Sequence, residues 1–351
     1  MPDAYDYVVV GAGSAGCVIA SRLSEDASRS VLLLEAGPKD RNPLIRFPLG
    51  EAFTVGGSID WKLETVAEPG LGGRKMAQPR GRVLGGSSSI NGQMYVRGHA
   101  SDYDDWDANG CTGWSYGGVL PYFRRSENWK SSEDQFRGAD GPLSVAPGRY
   151  RSPTCRRFLE AASEAGYPLN DDYNGSQQDG FGWLQYTHTH AFPFRCSTAH
   201  AYLKPARARP NLTVRTGAQA TALTFDGRRC MGVTYSQNGR SVTVRAGREV
   251  ILSAGAYHTP HLLLLSGVGP ADDLVAQGIS VVADMPGVGK NLQDHAGAFI
   301  QHKADVSDSY HKLLGPIGGV SACARLFLQR TGPLTVFPLN VTGFVRSDAS
   351  L

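Results

Sequence analysis

The strongest constraint on the fold lies in the first 35 residues. An apolar run, Tyr7-Val8-Val9-Val10, breaks into Gly11-Ala12-Gly13-Ser14-Ala15-Gly16 and a helical stretch from Cys17 to Leu23. A second apolar run, Leu32-Leu33-Leu34, then ends on Glu35. Strand, spaced glycines, helix, strand and acid, in that order, is the pattern of a β-α-β dinucleotide unit. Gly11 is expected to allow the tight turn, Gly13 to let a pyrophosphate approach the backbone, and Gly16 to let the helix pack on the strand. The helix N-terminus then offers N–H groups and a partial positive charge to the phosphates. Glu35 stands 19 residues past Gly16, where such a unit places the acid that binds a ribose. Its charge disfavours a 2′-phosphate, so the pattern predicts FAD or NAD rather than NADP.

A chain of 351 residues has room for about two domains. The net charge of +3 is small and the basic residues form no stripe, so no nucleic-acid partner is expected. Six cysteines without a C-x-x-C pair predict the reduced thiols of a cytoplasmic protein, not a disulfide framework or a zinc site. Val8 to Ala20 resembles the apolar part of a signal peptide. It lacks a basic leader and carries the glycine fingerprint, so it is expected to remain in the fold.

Beyond Gly37 the β-α-β rhythm stops. Residues 38–80 form a Pro-, Gly- and Arg-rich excursion that includes Asp60-Trp61, and a second glycine cluster runs from Gly81 through Gly85-Gly86-Ser87-Ser88-Ser89 to Asn91. A short helix should follow, with Ser101 and Asp104 as its capping box and Gly110 as its stop. From residue 211 a meander is predicted over Leu212–Arg215, Ala220–Phe225, Met231–Ser236 and Ser241–Arg245, with turns at Asp226-Gly227 and Asn238-Gly239. It leads into a separate apolar strand, Glu249-Val250-Ile251-Leu252, ending at Ser253-Ala254-Gly255. A meander returning to such a strand is the layout of two-dinucleotide flavoproteins, which moves the expected ligand from NAD to FAD. The fold class expected is α/β: a Rossmann-like FAD-binding domain with an inserted β-meander (residues 1–140 and 196–308), plus a partial α+β substrate-binding domain or cap (141–195 and 309–351).

Three motifs together resemble the glucose–methanol–choline family of FAD oxidoreductases. They are the N-terminal fingerprint, the cluster from Gly81 through Ile90-Asn91 to Tyr95, Gly98 and Asp104, and the run from Gly255-Ala256 through Thr259-Pro260 to Ser266-Gly267-Val268-Gly269. Local detail such as Val96-Arg97-Gly98-His99 is most similar to the choline-dehydrogenase-like and quinone-coupled alcohol dehydrogenase branch. The resemblance implies that Gly11, Gly13, Ser14, Ala15, Gly16, Glu35 and Ala36 hold the ADP half of FAD. It further implies that Val83, Gly86, Ser87 and the stretch Asn91-Gly92-Gln93-Met94 lie along the isoalloxazine and pyrophosphate. Ala220 would meet the adenine, Ser253 and Gly255 would line the adenosine edge, and Trp61 would either pack near the flavin or serve as a core aromatic.

Some family members attach FAD through a histidine in the second cluster. Ile90 stands there and cannot form that bond, so non-covalent FAD is expected. The implied reaction is oxidation of an alcohol to an aldehyde by hydride transfer to the flavin, with electrons passed to a quinone or to oxygen. The family's catalytic histidine belongs to a segment expected beyond Leu351, and none of the nine histidines here occupies its motif. Hydroxynitrile lyases of the same fold, or an inactive truncated product, are the alternatives.

Two histidine pairs, His188/His190 and His258/His261, lack carboxylate or cysteine partners at metal spacing, so no metal site is expected. No G-x-S-x-G elbow suggests a serine hydrolase. Residues 313–330, including Leu313, Leu314, Ile317, Val320, Leu326, Phe327 and Leu328 among basic residues, fit either core packing or a peripheral contact with the inner face of the cytoplasmic membrane.

Overall fold

A computed structural model describes residues 4–131, 134–295, 297–303, 306, 308–313 and 315–348. The chain divides into two compact units. The first comprises Met1–Arg41, Thr54–Ile90 and Ser197–His302, and the second Asn42–Phe53, Asn91–Cys196 and Lys303–Leu351.

The first unit is organised by a mixed six-stranded sheet. Its strands are β1 (Ala4–Val10), β2 (Val31–Glu35), β3 (Leu212–Thr216), β4 (Ala218–Asp226), β5 (Arg229–Gln237) and β6 (Arg240–Leu252), in the spatial order β4-β5-β6-β1-β2-β3. Strands β6, β1, β2 and β3 run parallel, whereas β4, β5 and β6 form an antiparallel ribbon. Helix α1 (Ser14–Leu23) connects β1 to β2, and α2 (Gly255–Leu265) follows β6. The central strands are buried on both faces: Val8, Val10, Leu32 and Leu34 pack with Leu262, while Val9, Val31 and Leu33 pack with Cys17 and Ala20 of α1. That two-sided burial is why β1 and β2 read as continuous apolar runs instead of alternating ones.

Two expectations are corrected here. Leu212–Thr216 is not the first strand of the meander; it is a parallel edge strand, paired with β2 from Val31↔Leu212 to Glu35↔Thr216. Nor are 241–245 and 249–252 separate strands. Together they form the single 13-residue β6, whose first half pairs with β5 and whose second half pairs with β1. Both hairpin turns are present. At the second, Asn238 and Gly239 both have positive φ, as a type I′ turn requires. At the first, the two-residue loop is Gly227-Arg228, with the positive φ on Gly227.

The second unit has less regular structure. Glu127–Trp129 pairs in parallel with Leu143–Pro147, which pairs antiparallel with Gln185–Tyr186, and Gly180–Trp183 pairs with Val341–Phe344. Its polar core is a chain of charges, buried at Arg97, Glu127 and Arg137 and half-buried at Asp172. Arg137 donates to Glu127 at 2.5 Å and to Asp172 at 2.5 Å, Arg97 donates to the other Glu127 oxygen at 2.8 Å, and the Trp129 ring lies 4.0 Å from the Arg137 guanidinium. Both partners of a buried pair must be present, because removing one leaves an uncompensated charge. The helix expected after the second glycine cluster spans Ala100–Ala108, but its capping box is formed by His99 and Asp102, not Ser101 and Asp104. The His99 side chain accepts from the Ser101 amide while Asp102 accepts from the His99 amide. Gly110, at φ +100°, ends it as anticipated.

Candidate functional site

The carboxyl ends of β1, β2 and β6 open into a cleft of about 980 Å³, the largest among the described cavities, lined by residues of the first unit alone. In an open α/β sheet this is where ligands bind. The turn leaving β1 is shaped by glycine. Gly11 has φ +94°, and a Cβ there would lie 2.6 Å from the Ser253 carbonyl oxygen; a Cβ on Gly16 would lie 1.8 Å from the Gly11 oxygen. A side chain at Gly11 would strike the backbone leaving β6, and one at Gly16 would push α1 off the turn that follows β1. Gly13 differs: the nearest atoms to its would-be Cβ are 3.9 Å away or more, so its cleft side is open to a ligand. Gly13 is also the N-cap of α1 and offers no side-chain cap, and the first turn holds no acid. The helix N-terminus thus presents Ser14 and Ala15 to the cleft with no acidic side chain in its own first turn.

Glu35 closes β2 and is 5% exposed. Its two oxygens accept from the Ala12 amide at 2.9 Å and the Gly37 amide at 2.8 Å. Burial pushes its carboxyl up to about 7, opposed by those two hydrogen bonds and by the charge of Arg82. A sugar hydroxyl reaching this carboxylate would meet an acceptor already fixed in place by the backbone.

The second glycine cluster sits across the turn. Gly86, at φ +52°, comes so near Gly13 that a Cβ on it would lie 2.6 Å from the Gly13 Cα. The serines beside it hold the loop: Ser87 accepts from the Gly81 amide, Ser88 bonds both the Gly85 carbonyl and Thr198, and Ser89 donates to the Leu84 carbonyl. Ala36, Gly86, Ser87, Ala220, Ser253 and Gly255 all line the cleft with the fingerprint residues. Gly16 and Val83 do not. Gly16 is packed between helix and turn, and Val83 is fully buried, so both act behind the wall. Asn91, Gly92, Gln93 and Met94 belong to the second unit.

Trp61, expected either near the flavin or in the core, lines the cleft, and sequence reasoning missed Arg80, Tyr257 and His258 as cleft residues. The His258 ring lies 4.2 Å from that of Trp61, whose other neighbour is the Arg82 guanidinium at 4.9 Å. Arg80 lies 4.7 Å from the Tyr257 ring, and the Tyr257 hydroxyl bonds Gln78 at 2.9 Å. Asp60 makes this wall by accepting from the amides of Gly56, Lys62 and Arg80. The available signal was position: Tyr257 and His258 fall in the first turn of a helix that starts at the end of a central strand. His188 and His190 are occupied elsewhere, the first with Gln93 and the second against the carbonyls of Asn128 and Val145. Among the described residues no group of three potential ligands could hold a metal ion. A second depression, about 550 Å³, is lined by Asp134, Asp171, Asp172 and Asp179 and would repel a pyrophosphate.

Fold and cleft together define a Rossmann-type dinucleotide-binding architecture. A family model described as GMC oxidoreductase matches residues 5–297, and the chain belongs to that family. It is 44% identical to the oxygen-dependent choline dehydrogenase of Photobacterium profundum, over 100% of this chain and 62% of that protein. It is 46% identical to the human mitochondrial choline dehydrogenase, over 99% and 59%. Among solved structures, pyridoxine 4-oxidase from Mesorbium loti is 37% identical with a TM-score of 0.80, covering 83% of this chain and 57% of that one. Formate oxidase of Aspergillus oryzae is 27% identical with a TM-score of 0.85, covering 99% and 64%. The chain therefore spans about 60% of the length of the curated relatives it matches. The cofactor of the family is FAD, and the cleft fits it: an open glycine cradle, the N–H donors of an uncapped helix N-terminus and a buried acid as acceptor at the strand end are what a dinucleotide needs.

Proposed function

We propose that this chain carries the FAD site of an alcohol-oxidising enzyme that converts a CH–OH donor to an aldehyde. The observation that supports it most is the convergence on one cleft of the open Gly13, the uncapped N-terminus of α1 and the buried Glu35. In this reading Gly13, Ser14 and Ala15 bind the pyrophosphate through backbone N–H groups and the helix field. Glu35 accepts from the adenosine ribose, while Ala36, Ala220, Ser253 and Gly255 leave room for the adenosine. Gly86, Ser87 and the segment Asn91–Met94 carry the flavin end, with Gly16 and Val83 supporting from behind.

FAD, when bound, supplies a hydride acceptor for the alcohol carbon. This chain's own part is to hold the dinucleotide extended and to keep charge matched along it. Ile90 offers no nucleophile for attachment, so FAD is held without a covalent bond. Choline or a medium-chain primary alcohol is the substrate class, by analogy with the choline dehydrogenases above, and a quinone is the acceptor, with oxygen as the other candidate.

Among the described residues no helix is long and apolar enough to cross a membrane. Val320, Phe327 and Leu328 are 72%, 58% and 83% exposed, and Lys312, Arg325 and Arg330 are exposed beside them in sequence. That pattern supports peripheral contact with an anionic bilayer at the inner face of the cytoplasmic membrane. Leu314 lies outside the described residues.

The test is anaerobic mixing of the protein, expressed from its complete gene, with choline or a medium-chain primary alcohol. Bleaching of the flavin absorption is expected, and acid precipitation should leave the yellow colour in the supernatant. An oxidised flavin unchanged by any alcohol, together with release of cyanide from a hydroxynitrile, would overturn the redox reading.

A further inference from the structure

Gln93 is a residue with a side chain held where glycine is favoured: its φ is +64° and it is 1% exposed. Such a conformation persists only where its surroundings impose it. Here every polar group of Gln93 has a partner within the second unit. Its amide donates to the Asn91 side chain at 3.1 Å, and its carbonyl accepts from the Thr187 amide at 2.8 Å. Its side-chain N–H donates to the Pro48 carbonyl at 3.1 Å, and its side-chain oxygen faces His188 Nε2 at 3.0 Å. A carbonyl can only accept, so the Gln93 NH₂ must face Pro48 and the oxygen must face His188. That fixes the imidazole in its Nε2–H form, as the donor.

His188 is itself held in place. It is 1% exposed, and its ring stacks on Tyr186 at 4.9 Å and 10°. The Tyr186 hydroxyl donates to the Leu339 carbonyl. Burial and the charges of Arg195 and Arg149 push the imidazole down to about 3, so it stays neutral. For stability alone a buried histidine–glutamine pair gives little that an apolar pair of the same volume would not. What the polar pair adds is direction: it specifies one side-chain and one backbone orientation at residue 93. The other end of the segment is fixed the same way, because Arg195 donates to the Asn91 side chain at 2.7 Å and to the Ile45 carbonyl at 2.8 Å.

We propose that His188 is a positioning residue for the cofactor, acting through Gln93 to hold the backbone of Asn91–Met94 in its left-handed turn. The proposal rests on the reading above that this segment carries the flavin end of FAD. It assigns a task to a histidine that the cleft does not use.

The experiment measures FAD affinity by fluorescence titration, the visible flavin spectrum and the melting temperature, on protein expressed from its complete gene. Four forms are compared: wild type, His188→Leu, Gln93→Met and the double variant. His188→Leu should raise the Kd for FAD about tenfold, the effect of one lost buried hydrogen bond, Gln93→Met, which loses two, at least as much, and both should alter the visible spectrum. The double variant, which removes both members of the His188–Gln93 pair and, like Gln93→Met, leaves the Pro48 carbonyl without its donor, should bind no worse than Gln93→Met. His188→Gln, which keeps an N–H donor, should retain wild-type affinity and serves if His188→Leu does not fold. Variants that melt lower but bind FAD within twofold of wild type would overturn the proposal, as would losses that multiply in the double variant. Wild type with no saturable FAD binding would instead refute the cofactor reading, and the proposal with it.

Discussion

The two units solve the problem of holding a shape by opposite means. In the first, geometry at the cleft is set by the backbone: glycines that exclude a Cβ, an uncapped helix end, and a carboxylate fixed by two amides. In the second, side chains with charge or polarity fix the loops, through Arg97, Glu127, Arg137 and Asp172 and through Gln93 and His188. A backbone-built site can stand in a short run of sequence and tolerates no added atoms. A side-chain-built core gathers residues from far apart and fails when one partner is lost.

The largest effect should come from the buried charges. Arg137→Leu leaves Glu127 and Asp172 without their shared cation and should cost about 3–5 kcal/mol in chemical denaturation. A cost under 1 kcal/mol would mean the network is not what holds the second unit. Gly16→Ala is the matching test of the first unit: with a Cβ placed 1.8 Å from the Gly11 oxygen, it should cost about 3 kcal/mol and abolish FAD binding. Gly13→Ala, with open space at that atom, should leave folding intact and weaken only FAD.

The units should also respond to pH in opposite directions. Glu35 has its folded value raised from 4.5 to about 7, so the folded state binds the proton more tightly. Its contribution is present below pH 4.5 and is lost as pH rises towards 7, by at most about 3 kcal/mol. His188 has its folded value lowered from 6.5 to about 3, so its contribution is present above pH 6.5 and is lost as pH falls through that window. Stability curves of FAD-free Glu35→Gln and His188→Leu against wild type should each remove one limb. Identical pH dependence in all three would break the comparison. The smallest effect expected is on affinity. Glu35→Ala should weaken FAD by about 1.5–3 kcal/mol, the worth of a charge-assisted hydrogen bond, measured on the apoprotein by fluorescence titration.

The same contrast explains what the sequence could convey. Gly11, Gly13, Gly16 and Glu35 act within one β-α-β unit, and the Asn238-Gly239 turn joins neighbouring strands, so spacing alone exposes them. Leu212–Thr216 is five residues long, and nothing within it tells an antiparallel meander partner from the parallel edge of β2. The split of β6 into two predicted strands has a different cause: Gly247 stands where the strand passes from β5 to β1 through a register shift, and a glycine inside an apolar run reads as a break. His99 was passed over as a cap because Ser101 is the commoner residue type for that role. Arg137, Glu127 and Asp172 carry no local pattern, and the wall of Trp61 and His258 brings together residues nearly 200 positions apart.

The strand order of the first sheet also sets a timetable for synthesis. Strands β1 and β2 leave the ribosome within the first 35 residues, but β3, which covers the outer edge of β2, begins at Leu212, and β6, which covers β1, ends at Leu252. About 180 residues must be made between β2 and its neighbour, roughly 10–35 s at ordinary elongation rates. Throughout that interval a two-stranded parallel pair of Val and Leu has both edges open, and two strands alone are at best marginally stable in water. The nascent chain therefore depends on whatever shields those edges until translation reaches the ribbon that closes them.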